Sequence, residues 1–339
     1  MAIRQGRYTL LLPTMPSIHG SGAVVGKTEG EGPLAAEFDY VFADDTIGGC
    51  PSWEKAESAL HREAVSRAIS KADMSPQDID LIMAGDLLDQ CIGTSFGIRE
   101  LEIPFLGMFG ACSTMALSMA LAAVLVDTGA VCNAVASTSS HFASAERQFR
   151  LPLEYGGQRP QSAQRTATAA GASVIAPHKQ GTPCIEAAIF GKIVDLGIKD
   201  TNNMGAAMAP AAARTIADFL HDTGTKPEDY DLILTGDLSR VGTDLLLELL
   251  VKDESIDISS VHADCGLMLY DLEQQDVHAG GSGCGCSASV LCGYILQELQ
   301  QGKLKNVLFA ATGALMSPTI VQQGESIPGI CHAVHLSSE

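Results

Sequence analysis

The sequence predicts an α/β fold of two similar halves, in which helices cover the faces of mostly parallel sheets. The main observation is an internal repeat, because residues 76–87 and 227–238 share a proline, an acidic turn, a short apolar strand and a final Gly-Asp-Leu. Each copy follows an amphipathic stretch that predicts a helix, near Trp53–Lys71 in the first half and near 212–222 in the second. Strands and helices that alternate in this way form a sheet with helices on its faces.

A second repeated feature is a Cys-Ser turn before a buried helix. Cys112-Ser113 and Cys286-Ser287 are each followed, after the same number of residues, by a threonine that ends an apolar strand. We expect the two halves to pack with pseudo-two-fold symmetry in a layered α/β/α/β/α arrangement, with an N-terminal half over 1–180 and a C-terminal half over 181–339. Open α/β sheets bind ligands beyond the carboxyl ends of their strands, where these turns lie.

The longest uncharged segment, 103–126, predicts a strand and a helix rather than a membrane span. A short buried strand is expected at 104–109, a turn at 110–112 and a buried helix at 113–126. At about 1.5 Å per residue this helix reaches about 21 Å, which is less than the roughly 30 Å of a bilayer core. We therefore expect no transmembrane segment, and we find no pattern of a signal peptide.

The chain is strongly acidic, with 21 Lys and Arg against 40 Asp and Glu and a formal net charge of −19 over 339 residues. A nucleic-acid-binding protein needs clustered cations to neutralise phosphates, so this balance argues against that class. It also argues against unaided docking on an anionic membrane. The ten cysteines lack the spacing of a zinc site, and we expect reduced thiols and no metal held by the protein alone.

Cys112 is the first candidate for chemistry. It lies where a strand turns into a buried helix, and a helix N-terminus carries unpaired N–H groups and about half a positive charge. This environment favours the nucleophilic thiolate, and the same N–H groups, at Cys112 and Ser113, would hold a carboxylate. The alternative is a small buried cysteine that simply fits the turn.

The segment 109–114 resembles the active-site turn of the thiolase superfamily, which includes thiolases and the β-ketoacyl synthases. Residues 168–174 resemble the small-residue strand that follows the active-site excursion in those synthases. The resemblance implies a thiolase-like fold, in which Cys112 would take an acyl group from coenzyme A or a carrier protein.

A narrower resemblance, to the stage V sporulation protein AD family of endospore-forming bacteria, covers nearly the whole chain. It rests on strings at 31–34, 84–88, 109–114, 139–141, 145–150, 154–158, 208–212, 264–268, 280–284 and 325–328. The resemblance implies a sporulation protein that binds dipicolinic acid, a pyridine dicarboxylic acid, and supports its uptake into the developing spore. The implied partners are this acid, membrane proteins of the same sporulation operon, and a second copy of the chain, joined through the strand near 132–136.

The second half lacks the groups that a condensing enzyme needs. In the resembled enzymes a His-His or His-Asn pair from this half stabilises the reacting carbanion and oxyanion. The corresponding places hold Asp237, after Gly236, and Ser282, before Gly283. Because an anionic Asp237 would raise the pKa of Cys112, the sequence leaves catalysis open and favours a non-catalytic role.

Dipicolinic acid is a planar dianion that needs donors for two carboxylates and an apolar slot for its ring. Arg147, in a locally basic segment, is the favoured cation, and its alternative is an ion pair with Glu146 or Glu154. His141 and His332 are further candidates, or else imidazoles satisfied by backbone hydrogen bonds.

Two aspartates complete the expected pocket. Asp86 and Asp237 would repel a bare dianion, so they fit a protonated acid or one that arrives with Ca²⁺, or they only cap loops. The candidate ligand-binding residues are Cys112, Ser113, Asp86, His141, Arg147, Asp237, Ser282, Gly283 and His332.

Three functions stay open. The leading one is a non-catalytic protein that captures dipicolinic acid, with or without Ca²⁺, in a former acyl pocket and presents it to a membrane channel. The alternative is an acyltransferase of the β-ketoacyl synthase or thiolase type, with Cys112 as acyl-accepting nucleophile. The third is a scaffold with a vestigial pocket. We expect a protein on the cytoplasmic side that reaches the spore inner membrane peripherally, through partners.

Overall fold

The secondary structure alternates as the sequence predicts, in a computed structural model that describes residues 1–150 and 152–338. In these residues the strands are β1 (Ile3–Gln5), β2 (Thr9–Leu11), β3 (Ser17–Val25), β4 (Tyr40–Val41), β5 (Leu81–Gly85), β6 (Phe105–Gly107), β7 (Ala134–Ser140), β8 (Arg165–Thr166), β9 (Ala169–Ala176), β10 (Cys184–Ile189), β11 (Leu232–Thr235), β12 (His262–Asp264), β13 (Gly281–Ser282), β14 (Asn306–Ala314) and β15 (Gly329–Ser337). The helices are α1 (Trp53–Lys71), α2 (Ile92–Ile98), α3 (Thr114–Asp127), α4 (Phe142–Glu146), α5 (Met204–Thr223), α6 (Ser239–Leu249), α7 (Cys265–Met268), α8 (Cys284–Val290), α9 (Leu296–Gln300) and α10 (Pro318–Gln322). A π-helical turn, Leu250–Glu254, extends α6, and another, Leu291–Ile295, joins α8 to α9.

In the described residues, five strands of each half form a repeated unit, in the same order and with the same pattern of directions. The first sheet runs β3-β9-β7-β5-β6, and the second runs β10-β15-β14-β11-β12. In each sheet the second strand is antiparallel to both neighbours and the other pairs are parallel. The sheets meet where Ser17 of β3 pairs with Cys184 of β10. The repeat in the sequence is therefore a repeat in topology, while the boundary near residue 180 stays a prediction.

Three layers of helices enclose the two sheets. α1 packs on the first sheet, α5 packs on the second, and α3 contacts strands of both from the layer between them, beside α8. α3 is buried on most of its surface, with Met115, Met119 and Ala120 fully buried, as expected for the central helix. None of the helices in the described residues combines the length and the apolar character that a bilayer crossing requires.

Small residues let these helices lie directly on the sheets. A methyl group added at Gly22 of β3 would lie 2.3 Å from the carbonyl oxygen of Ala64 in α1. One added at Gly171 of β9 would lie 2.5 Å from the carbonyl oxygen of Ala288 in α8. Glycine at these positions is therefore required by close helix–sheet contact.

The edge of the first sheet corrects two expectations. The strand expected at 104–109 forms as β6, but its side chains are exposed rather than buried, because it pairs only with β5. The strand near 132–136, expected at a dimer interface, is β7, and both of its edges are paired, with β5 and with β9. Within the described part of this sheet, the free edge belongs to β6.

Candidate functional site

Cys112 lies in a tight turn at the start of α3, between the two sheets. Ala111 has a left-handed backbone conformation, with φ 49°. The Ser113 hydroxyl donates to the carbonyl oxygen of Gly110 at 2.6 Å, and the Thr114 hydroxyl donates to the carbonyl oxygen of Ala111 at 2.7 Å. Because the fully buried Ser113 hydroxyl is used within the turn, its observed role is to shape the turn.

The Cys112 thiol lies near Asp237, which follows β11 in the second half, and the charge of Asp237 acts on it. Cys112 is only 5% exposed. Burial raises the pKa of its thiol well above the ordinary value of 9.0, and the charge of Asp237 raises it further. The lowered pKa expected from the helix N-terminus alone is therefore wrong, whereas the effect expected from Asp237 is present.

Asp237 is fully buried, and its carboxylate accepts three hydrogen bonds. Ser282 Oγ donates at 3.0 Å, Gly283 N at 2.8 Å and Thr312 Oγ1 at 2.8 Å. Burial raises the pKa of Asp237 to about 6, against the effect of these donors. Moving a proton to this group from even an ordinary thiol, of pKa 9.0, costs about 4 kcal/mol. The pair therefore keeps the proton on sulfur.

Two further buried groups hold this arrangement, and the sequence analysis missed both. Gln164 Nε2 donates to the carbonyl oxygen of Asp237 and, at 3.2 Å, to that of Gly281. Asp264 accepts from the backbone N–H of Ser239 at 2.8 Å and so fixes the turn after β11. Asp264 begins one of the family-like strings, which was an available signal, whereas nothing in the sequence marked Gln164.

Asp86, the counterpart of Asp237 in the repeat, is buried and does not line the cleft over Cys112. It accepts from the N–H of Leu88 at 2.8 Å, and from the N–H and the hydroxyl of Thr94 at 2.6 Å each. Burial and the charge of Asp86 raise the pKa of neighbouring Glu57 well above its ordinary value. The contacts of Asp86 thus hold the connection between β5 and α2.

Glu57 and His61 of α1 belong to a buried polar cluster that the sequence analysis also missed. Ser144 Oγ donates to Glu57 at 2.6 Å, and the two ring nitrogens of His61 lie 2.9 Å from Ser137 Oγ and 3.0 Å from Ser139 Oγ. Burial lowers the pKa of His61 to about 3. The available signal was the spacing of four residues, which puts both side chains in the buried stripe of α1.

The two candidate histidines are held by backbone groups and do not line the cleft. Nδ1 of His141 accepts from the N–H of Ala143 at 3.1 Å, and its Nε2 lies 2.7 Å from the carbonyl oxygen of Asp45. Nδ1 of His332 accepts from the N–H of Gly191 at 3.2 Å. Burial lowers the pKa of both imidazoles, that of His332 to about 4.

Arg147 is also placed away from the cleft. Its guanidinium forms an ion pair with Glu54 of α1, instead of the expected alternatives Glu146 or Glu154. The side chain of Arg147 is 43% exposed, so water competes for its charge.

The cleft over Cys112 is lined by apolar and neutral polar side chains, and it is narrow, with a cavity volume of about 40 Å³. Of the candidate residues, Cys112 and Ser282 lie in this lining, and Gly283 and Asp237 lie directly behind it. Phe109 and Phe149 supply aromatic faces, and no Asp, Glu, Lys, Arg or His of the described residues is part of the lining. In the same part of the chain, no group of three or more His, Cys, Asp or Glu is arranged to hold a metal ion.

The sequence is similar to one bacterial family along nearly its whole length. A family model described as Stage V sporulation protein AD (SpoVAD) matches residues 6–337. Stage V sporulation protein AD of Bacillus subtilis (strain 168) is 47% identical over 329 residues, which make up 97% of this chain and 96% of that protein.

Solved structures share the fold at low sequence identity. The 3-oxoacyl-[acyl-carrier-protein] synthase III from Aquifex aeolicus VF5 is similar with a TM-score of 0.56 and 14% identity, over 95% of this chain and 99% of that chain. OleA of Xanthomonas campestris bound to cerulenin is similar with a TM-score of 0.59 and 15% identity, over 95% of this chain and 96% of that chain. The likeness extends to the fold alone, and it confirms the predicted thiolase-like α/β architecture.

Proposed function

The chain belongs to the stage V sporulation protein AD family, and from this premise we propose that it is a non-catalytic protein that binds dipicolinic acid in the cleft over Cys112 and supports uptake of the acid into the developing spore. The observation that carries the non-catalytic part is the buried carboxylate of Asp237 near the Cys112 thiol. The partner of the thiol is an acidic group that stabilises the protonated sulfur, so the cleft keeps the shape of an acyl site without its nucleophile.

The lining of the cleft suits a flat ring that carries no net charge. Phe109 and Phe149 can pack on the ring faces, while Gln148, Thr166 and Ser282 offer neutral hydrogen-bonding groups. A bare dianion would lose its hydration there without gaining a counter-charge, which is costly. We therefore propose that the cleft takes the neutral one-to-one complex of dipicolinate with Ca²⁺, in which the ion belongs to the ligand.

Calorimetric titration with dipicolinic acid tests this function, once with CaCl₂ and once with a chelator. We expect heat of binding with Ca²⁺, and Phe109→Ala should weaken the affinity by about 3- to 10-fold through loss of aromatic packing. Phe96→Ala is the matched control, since Phe96 is 51% and Phe109 49% exposed and only Phe109 lines the cleft. Absence of heat under both conditions would end the proposal.

The alternative, acyl transfer through Cys112, is tested by incubation with acyl-coenzyme A followed by intact mass measurement. We expect no mass increase that maps to Cys112. An adduct at this residue that water or an acceptor then removes would overturn the non-catalytic proposal and establish an acyltransferase.

We also propose a homodimer, joined through β6 instead of the strand first expected. Phe105 and Leu106 of β6 are 39% and 42% exposed, and within the described residues this strand pairs with β5 alone. A second copy aligned on this edge would pair the backbone groups and cover the apolar side chains. Membrane proteins of the same sporulation operon are the proposed partners that bring the protein to the cytoplasmic side of the spore inner membrane.

A further inference from the structure

A second cavity lies next to the cleft and differs from it in charge. Arg150, Arg159 and Arg165 line this arginine cavity, which is open to solvent and has a volume of about 460 Å³. Phe142 and Tyr155 add two aromatic rings to the lining. None of the three arginines lines the cleft.

One wall separates the two spaces. Phe142, Glu146 and Arg150 follow one another at intervals of four residues and face the arginine cavity, whereas Ala145 and Phe149 face the cleft. The two residues of β8 divide in the same way, since Arg165 faces the cavity and Thr166 faces the cleft. This division follows from the helical and the strand periodicities of the two segments.

Three guanidinium groups face two buried carboxylates, Glu146 and Glu29, and two exposed ones, Asp276 and Asp200. Glu146 is fully buried, accepts from the N–H of Thr166 at 2.9 Å, and lies 3.0 Å from Nε of Arg150. Asp276 lies 3.1 Å from Nη2 of Arg159, but its own side chain is 81% exposed. Because water screens an exposed carboxylate, the buried part of the cavity carries an excess of positive charge.

Some of the buried donors have no partner. Nη1 of Arg159 and Nε of Arg165 are buried and make no hydrogen bond within the described residues. Arg159 uses Nη2 on the carbonyl oxygen of Asp276 at 2.7 Å, and Arg165 uses Nη2 on the hydroxyl of Thr28 at 3.3 Å. The Arg165 guanidinium also lies over the ring of Phe142, 4.2 Å from its centroid. Buried guanidinium donors that point at no acceptor are costly to maintain and strongly favour an anionic ligand.

We propose that the arginine cavity binds a small dicarboxylate anion, with Arg159 and Arg165 as donors to its carboxylates and Phe142 as an apolar face for its body. Guanidinium groups bind carboxylates with paired, directional hydrogen bonds, which suits this composition. That the anion is the free dianion of dipicolinic acid rests on the proposed function, whereas the dicarboxylate chemistry of the cavity does not. The cavity thus offers the cations that the cleft lacks.

Calorimetry with two ligands, dipicolinic acid and isophthalate, tests the inference at low salt and without Ca²⁺. Isophthalate has the same two carboxylates on a flat ring but no ring nitrogen. We expect both to bind the wild-type protein, and Arg159→Gln to weaken each by about 10- to 100-fold, as for a lost charge-assisted hydrogen bond. Asp276→Asn should have the opposite effect and tighten binding by a few-fold, because it removes a competing carboxylate.

Arg62→Gln is the matched control. Arg62, like Arg159, is paired with an exposed carboxylate, that of Glu100, and its loss changes the net charge equally. It lies outside the arginine cavity, so the affinity should stay at the wild-type value. Arg165→Gln provides the second variant if Arg159→Gln does not fold.

The outcomes separate this inference from the proposed function. If isophthalate binds in an Arg159-dependent way and dipicolinic acid binds neither with nor without Ca²⁺, the cavity is an anion site and the proposed function is wrong. If dipicolinic acid binds and the Arg159 and Arg165 variants leave its affinity unchanged, the inference is overturned and the proposed function stands. If neither compound binds under any condition, both are overturned.

Discussion

Asp237 stands where a base would be needed to activate Cys112, and a carboxylate there stabilises the protonated thiol instead. Burial and the neighbouring charge act in the same direction, since each disfavours a negative charge on sulfur. Ser282, Gly283 and Thr312 direct their donors at the carboxylate, where they are not available to an oxyanion. An acidic side chain at this one position therefore both raises the pKa of the thiol and engages these three donors.

The protonated thiol predicts slow alkylation of Cys112. At pH 8 iodoacetamide should modify exposed Cys132 faster than Cys112. Asp237→Asn removes the neighbouring charge, and each lowering of the thiol pKa by one raises the thiolate fraction about tenfold, so Cys112 should react about tenfold faster in the variant. Peptide mapping by mass spectrometry gives both rates in one sample. Equal rates for the two cysteines in the wild type would contradict the geometry of the pair.

Asp237 also links folding to pH. Its pKa is about 6 in the folded protein, against an ordinary value of 3.8. Between these values the folded state holds more protons than the unfolded state, so the contribution of Asp237 to the free energy of unfolding falls as the pH rises from about 4 to about 6. When the pH is lowered from 7 to 4, the free energy of unfolding of the wild type should therefore rise by about 1–3 kcal/mol relative to that of Asp237→Asn.

Urea unfolding of both proteins at each pH measures this difference. Comparison with the variant cancels other buried groups such as His332, whose pKa is lowered to about 4 and whose contribution to stability is lost as the pH falls. A difference that is the same at pH 7 and pH 4 would show that the pKa of Asp237 is not raised.

At the scale of elements, the accuracy of the predicted boundaries depends on local signals. The helix expected at 113–126 is α3, Thr114–Asp127, because a long uncharged run after a turn leaves few alternatives. The helix expected near 212–222 is α5, Met204–Thr223. It begins much earlier than expected and contains Pro210. A proline inside a helix removes one backbone donor, so the sequence favours a helix that starts after Pro210. In the packed protein the helix instead continues through this proline.

The exposed edge of β6 predicts an oligomer that one charge can disrupt. Leu106→Lys should convert a dimer to a monomer, because it places a charge in the apolar contact between two paired edges. Val251→Lys is the control, since Val251 is 51% exposed and lies outside β6. Size-exclusion chromatography with light scattering gives the mass of each protein. A wild-type monomer, or a Leu106→Lys dimer, would contradict the proposed interface.

For the whole molecule, duplication was the part of the fold that the sequence predicted best, because two copies of one pattern must form two similar units. The pairing of side chains from distant segments was not predictable in the same way. Arg147 pairs with Glu54 of α1, and Arg159 pairs with Asp276, although neither partner is a neighbour in sequence. The proximity of Cys112 and Asp237 was predictable only through the resemblance to the β-ketoacyl synthases, in which the place of Asp237 holds a partner of the reactive cysteine.

The net charge of −19 governs how the whole molecule meets a bilayer. At about 0.15 M salt we expect no co-sedimentation with phosphatidylglycerol vesicles, since like charges repel within the roughly 8 Å screening length. Vesicles of phosphatidylcholine serve as the uncharged comparison. Strong binding to the anionic vesicles by the protein alone would contradict an association that depends on membrane protein partners.

The short helix α4 separates the cleft from the arginine cavity, with Ala145 on one side and Glu146 on the other. This helix is five residues long. A ligand that displaces α4 from one side would change the shape of the compartment on the other side. By thermodynamic linkage, a ligand in each compartment would then change the affinity of the other compartment by the same factor. The cleft and the arginine cavity would in that case be coupled, so that occupancy of one determines the binding affinity of the other.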